Sequence, residues 1–287
     1  MEGAASGGGT GEIIQTAMDS VVRFLGGGSM ANDMSVFGYS FGDDFTSSGA
    51  FTMMHEDSSV TVDSGATVSG SGGWGGTGGL TKKGAGQLTL TGSNSFSGGL
   101  TVEAGIVELA AVSGSAAGAV SGVSVSSGAT LLLGESHQVA DAAAITLSGG
   151  TLSRSSGVSE TMGGLSLTAA STIDYGSGST GTLAFGAYES GSTPDFVLTV
   201  NNFAGGNVLS LDSDLSGYLP VSYEGSAYSS TYFDINSTGG FTSAWDTNSS
   251  TFSITAVPEP STYLAGGLLL LLMGGSVLRR RLAKVRG

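Results

Sequence analysis

The sequence predicts an all-β protein, a parallel β-helix or solenoid followed by a single C-terminal transmembrane helix. Three observations carry this. Paired apolar residues separated by small-residue turns recur at nearly constant intervals along the middle of the chain. The composition has 51 glycines, four prolines and 11% charged residues, which opposes a helical globule, while 39% hydrophobic residues are too many for a disordered spacer. An uncharged run, residues 261–278, stands immediately before a terminal cluster of arginines. A chain of 287 residues has room for one or two domains around a sizeable core.

Residues 1–58 carry the weakest pattern. They read as β-rich with one amphipathic helix, residues 13–25 (IIQTAMDSVVRFL). The amino end, MEGAASGGGTGEIIQTAMDS, is acidic and glycine-rich, without the basic start and apolar run of a secretory leader. The expectation is that this start lies inside a longer gene product, with export by another route as the alternative.

Residues 59–180 hold the repeat. SVTVDSGATV begins at Ser59, LTVEAGIVEL at Leu100, VSVSSGATLL at Val123, ITLSGGTLSR at Ile145 and LSLTAASTID at Leu165. The last three starts are 23, 22 and 20 residues apart, and the first gap holds about two such units. Alternation at period two is the strand signal, and Gly, Ala, Ser and Asp between the runs supply turns. One such unit cannot bury its apolar face alone. Successive units wound into a coil share one core, which is the logic of a solenoid. A β-sandwich of antiparallel hairpins is the alternative that this pattern leaves open.

Residues 79–109 carry a more specific string. GLTKKGAGQLTL places Lys82, Gly84, Gly86, Leu88 and Leu90 in an opening, Asn94, Phe96, Gly98 and Gly99 in a corner, and Thr101, Val102 and Gly105 in a close. This resembles the autotransporter-associated β-strand repeat. Leu88 with Leu90, Leu100 with Val102, and Val107 with Leu109 form inward pairs in this reading. The glycines permit positive φ at corners, and Asn94 bonds its own backbone across a turn. The resemblance implies a passenger building block. No segment is similar to a translocator barrel, so the secretion mode in the family's name is not carried over.

Residues 181–256 change character to longer, more aromatic runs: TLAFGAY, DFVLTVNNF, NVLSLD and TFSITAV. FTSAWDTNSSTFSITAV reads as a hairpin turning at Asp246 to Ser249. The expectation is a terminal β-structure that caps the solenoid.

Residues 257–287 form the tail. As a helix, residues 261–278 span roughly 27 Å at about 1.5 Å per residue, enough for a bilayer core. Tyr263 would sit at one interface. Arg279, Arg280 and Arg281 would stay cytoplasmic by the positive-inside tendency. The segment before the span, Val257-Pro258-Glu259-Pro260-Ser261-Thr262, is stiff, extended and non-helical. Motif, span and arginines together closely resemble the PEP-CTERM sorting signal of Gram-negative bacteria. The resemblance implies recognition by an exosortase-type membrane transpeptidase, with cleavage near Pro258, Glu259 and Pro260. The protein would first be a single-pass inner-membrane protein with its body outside the cytoplasm. After processing it would reside at the cell surface or in the extracellular matrix.

Charge narrows the partners. Ahead of residue 279 only four basic residues face 23 acidic ones, a net charge of −19. Such a body repels nucleic acid and anionic lipid. There is no cysteine, which excludes disulfides, thiolate metal sites and thiol nucleophiles.

Candidate chemistry is sparse. Gly38-Tyr39-Ser40-Phe41-Gly42 matches G-x-S-x-G, with Asp43, Asp44 and His55 nearby, but no helix-forming sequence follows to build a nucleophile elbow. Paired carboxylates suited to glycoside cleavage are Asp43 with Asp44, Glu56 with Asp57, and Asp212 with Asp214, all in turn-like sequence. Asp212-Ser213-Asp214 lacks the remaining ligands of a calcium loop. Trp74 is either a core aromatic or a sugar-stacking residue, and the core reading is favoured. The expectation is a structural or adhesive envelope protein without catalytic residues, metal or cofactor, with extracellular polysaccharide as candidate partner. The alternative is a carbohydrate-active β-helix enzyme, a polysaccharide lyase or glycosidase, on the same anchor.

Overall fold

The computed structural model describes residues 13–14, 22–24, 27–30, 34–36, 38–53, 55, 58–177, 180–189 and 196–257. Every helix or strand among them is a strand, and the strands wind into a parallel β-solenoid with three faces. The first face is a nine-stranded parallel sheet running from Val22–Phe24 to Tyr188–Glu189. The second face runs from Gly28–Met30 to Phe233–Ser237 in parallel, with Ala227–Ser229 added antiparallel at its end. The third face is interrupted. It has four strands from Ile13–Ile14 to Trp74–Gly75, then none until Glu160–Met162.

Alternation in the sequence becomes columns in the core. Leu88 is the register partner of Val107, which partners Leu131, then Leu152, Ile173, Val200 and Ile235. All seven are buried. Each coil covers the apolar face of the next, so burial is continuous along the axis. Leu100, Val123, Ile145 and Leu165, four of the five predicted repeat starts, stack directly on one another, and Leu80 fills the long first gap. The inward pairs predicted for residues 88–109 are all inward and buried. The parallel registers exclude the antiparallel sandwich for this part of the chain.

Near the amino end, aromatic rings fill the core. Phe24 stacks on Phe41 at 5.0 Å, and Phe51 on Trp74 at 4.2 Å. Trp74 is wholly buried, so the core reading holds. The helix expected over 13–25 is not there in the part described, because Ile13–Ile14 and Val22–Phe24 are strands. Stacking of Phe24 on Tyr39, Phe41 and Phe45 outweighs a local helical periodicity.

The solenoid also reaches further than the sequence pattern. Gly38–Phe41, Phe45–Ser47 and Phe51–Met53 already form a coil ahead of residue 59. Beyond 180, Gly181–Phe185, Leu198–Phe203 and Asn207–Leu211 continue in parallel. The cap proper is antiparallel. Thr251–Ala256 pairs with Asn207–Leu211 on one side and with Phe241–Asp246 on the other, and Ser222–Tyr223 closes the sheet. Its hairpin turns where the sequence places it, with Asp246 Oδ1 accepting the Asn248 N–H at 2.8 Å. The edge strands left at this end, Ser222–Tyr223 and Ala227–Ser229, are very short and give another chain little to pair with.

The tail falls outside the described residues: Pro258, Glu259 and Pro260, the apolar run 261–278, and Arg279, Arg280 and Arg281. No helix among the described residues is long and apolar enough to cross a membrane.

Candidate functional site

The residues of the 79–109 string converge on one corner of the solenoid. Lys82 occupies a core column between Val60 and Val102 and is wholly buried. Its ammonium donates to the carbonyls of Gly84 and Gly86 at 2.8 Å each, and to Ala104 of the next coil at 3.1 Å. Burial lowers its pKa to about 8. The Lys-x-Gly-x-Gly spacing now has a physical cause, since the cation gathers carbonyls that a tight turn leaves pointing inward. Gly84 has φ +75°, and a Cβ there would lie 2.2 Å from the Val62 carbonyl oxygen. Gly86 and Gly98 are held by close approach alone, with a Cβ at 2.3 Å from Asp63 O and 2.4 Å from Gly79 N respectively. Gly105 repeats the Gly84 corner one coil later. Phe96 is buried. Nothing in the packing explains a glycine at Gly99, whose Cβ would meet its nearest neighbour at 3.8 Å.

Asn94 does not bond across its own turn, as the sequence suggested. Its Oδ1 accepts the Trp74 N–H at 2.8 Å and its Nδ2 donates to Ala116 O at 2.7 Å, one coil back and one coil forward. This begins an axial ladder. Gln138 Oε1 accepts the N–H groups of Ala111 and Ala116, and its Nε2 donates to Ala111 O and Ser136 O. Glu160 Oε2 in turn accepts the Gln138 N–H at 2.7 Å, and Oε1 the Val139 N–H. The ladder occupies the side where the third face has no strands. Buried side chains there satisfy backbone groups that a neighbouring strand would otherwise satisfy. Gln138 and Glu160 escaped the sequence reading. Their spacing of 22 residues from Ala116 to Gln138 and again from Gln138 to Glu160 is the only signal that marks them.

Burial raises the Glu160 carboxyl to about 6, and its two backbone donors, with His137, only partly offset this, while Asp141 adds to it. The folded state therefore holds the proton more tightly than the unfolded chain. No penalty is present below about pH 4.5, and one of about 2 kcal/mol develops as pH rises through 6. Urea unfolding at pH 5 and pH 7 should show Glu160→Gln gaining on the wild type as pH rises. An unchanged difference between the two proteins would rule out this assignment.

A second buried cation marks the place where the third face resumes. Arg154 follows Leu133 in a core column, with its guanidinium 4.7 Å from the Tyr175 ring centre. Its nitrogens donate to Ser155 O at 2.9 Å and to Asn207 Oδ1.

The chemical candidates are dispersed. Ser40 sits mid-strand and is buried beside Tyr39 and Phe41, so the G-x-S-x-G string forms no strand-to-helix turn. Asp43 and Asp44 are exposed and line a shallow depression with Ser64, and Asp44 Oδ1 accepts the Thr67 N–H. Asp212 and Asp214 are exposed, and Asp214 caps the Ser216 N–H. Glu56 and Asp57 lie outside the described residues. Among the described residues no three His, Asp or Glu side chains converge as a metal site would require.

Comparison with known proteins finds the same segment. Residues 80–109 match the family model of the passenger-associated transport repeat. No curated protein and no solved structure matches the chain.

Proposed function

We propose that this is an exported, non-catalytic β-solenoid protein of the cell surface or extracellular matrix, with a structural or adhesive role. The observation that carries the reading is the passenger-associated repeat at residues 80–109, built into a solenoid whose neighbouring coils share its registers. A solenoid of this kind offers long outer faces for contact. In this reading the tail acts as the sorting signal. Residues 261–278 hold the chain in the inner membrane, Arg279, Arg280 and Arg281 stay cytoplasmic, and an exosortase-type transpeptidase cuts near Pro258, Glu259 and Pro260.

The tail makes the proposal testable in a host that has the sorting machinery. Wild-type protein should lose the C-terminal segment, and a variant with Pro258→Ala and Pro260→Ala should retain it, as read by intact mass. Equal retention in both would refute processing at this motif.

A further inference from the structure

We propose that the outer surface of the C-terminal cap, centred on Tyr218 and Tyr232, binds an uncharged polysaccharide. This rests on the reading of the protein as one that acts outside the cell. Four tyrosines, at 218, 223, 228 and 232, crowd into fifteen residues of the cap. Tyr218 and Tyr232 meet edge to face at 4.9 Å, and Tyr223 and Tyr228 at 5.3 Å. The second pair rests on the buried ring of Phe241, at 5.7 and 5.5 Å, and the Tyr228 hydroxyl donates to Tyr218 O. The rings thus stand on a folded base.

This base presents apolar surface outward. Tyr218 is 43% exposed and Val221 80%, and of the three large apolar residues exposed among those described, two are on this cap. Exposed apolar clusters rimmed by polar groups mark contact surfaces. Charge then selects the partner. No Lys, Arg or His occurs between residues 155 and 278, while Asp212, Asp214 and Glu224, in the same stretch of chain as the tyrosines, are exposed. An anionic glycan, nucleic acid or acidic membrane would meet only like charge, and so would a second copy of a body that carries −19. A neutral sugar ring has C–H groups on its faces and hydroxyls on its edge. The tyrosine rings match the faces, and Ser216, Ser222, Ser229 and Thr231, all exposed, match the edge.

The test uses the full chain in mild detergent, titrated with soluble β-glucan, xylan and mannan, and with polygalacturonate as the anionic counterpart. At least one neutral glycan should bind and polygalacturonate should not. Tyr218→Ala should weaken that binding by about tenfold or more with an unchanged melting temperature, Tyr218→Phe should stay near wild type, and the distant Val112→Ala should have no effect. Three results would overturn the proposal: no neutral glycan bound, binding indifferent to Tyr218→Ala, or self-association of the chain that Tyr218→Ala abolishes. None of them bears on tail processing, which the proline variant reads separately.

Discussion

Gln138→Ala should unfold in urea with a stability loss of about 4 kcal/mol. The substitution leaves the Ala111 and Ala116 N–H groups without their acceptor and the Ala111 carbonyl without a donor, all within a coil that has no third-face strand to replace them. Each buried group left unpaired costs about 1–3 kcal/mol, and the emptied volume adds to this. The amides of Ala111 and Ala116 should also exchange faster with solvent than in wild type, while those of the first-face strand Leu100–Val102 keep their ladder. Gln138→Glu retains an acceptor but turns a buried carboxylate toward the Ala111 and Ser136 carbonyls, so it too should lose stability. A loss below about 1 kcal/mol for the alanine variant would mean that water or a shifted backbone replaces the amide.

Lys82→Met should cost about 3 kcal/mol although it replaces a buried cation with an apolar side chain of similar length. Two effects oppose each other. Removing the charge relieves desolvation, which favours the variant, while three inward carbonyls lose their donor. The second wins because one ammonium, on a wholly buried side chain, is the donor to all three carbonyls at once. A pH arm separates the two. The folded ammonium titrates near 8, against 10.5 for an ordinary lysine, so the unfolded chain holds more protons between those values. Wild-type stability therefore rises with pH across that window relative to Lys82→Met, and a gap that narrows instead would contradict the assignment.

These two residues show how the solenoid is held along its axis. The apolar columns make each coil adhere to the next but tolerate sliding in register by two residues, since every second position is apolar. The buried polar groups do not tolerate it. Lys82 reaches the carbonyl of Ala104 in the following coil, Asn94 reaches backward and forward, and Gln138 and Glu160 extend the line. Shifting one coil would strand all of these donors and acceptors away from water. This supports a specifying role for them beyond stability.

The sequence by itself determined what depends on local alternation and on period. Val-x-Val and Leu-x-Leu pairs separated by small-residue turns led to the strands, their inward faces and the coil length, and the stacked registers of Leu100, Val123, Ile145 and Leu165 agree with them. The motif at residues 79–109 was legible as a unit because its residues are contiguous. What Asn94 does was not, nor the link from Lys82 to the next coil, because the Asn94 partners and Ala104, the third partner of Lys82, lie 20 to 22 residues away in neighbouring coils. The tertiary structure alone decided that Asn94 acts between coils rather than across a turn, and that Gln138 and Glu160 replace missing strands. It also decided that aromatic stacking draws Val22–Phe24 into the solenoid, and that the parallel winding runs on past residue 180 before the antiparallel cap closes it. In each case the cause is the same. Strand pattern is written into neighbouring residues, whereas the partner of a strand, a ring or a buried polar group is set by whichever coil comes to lie beside it.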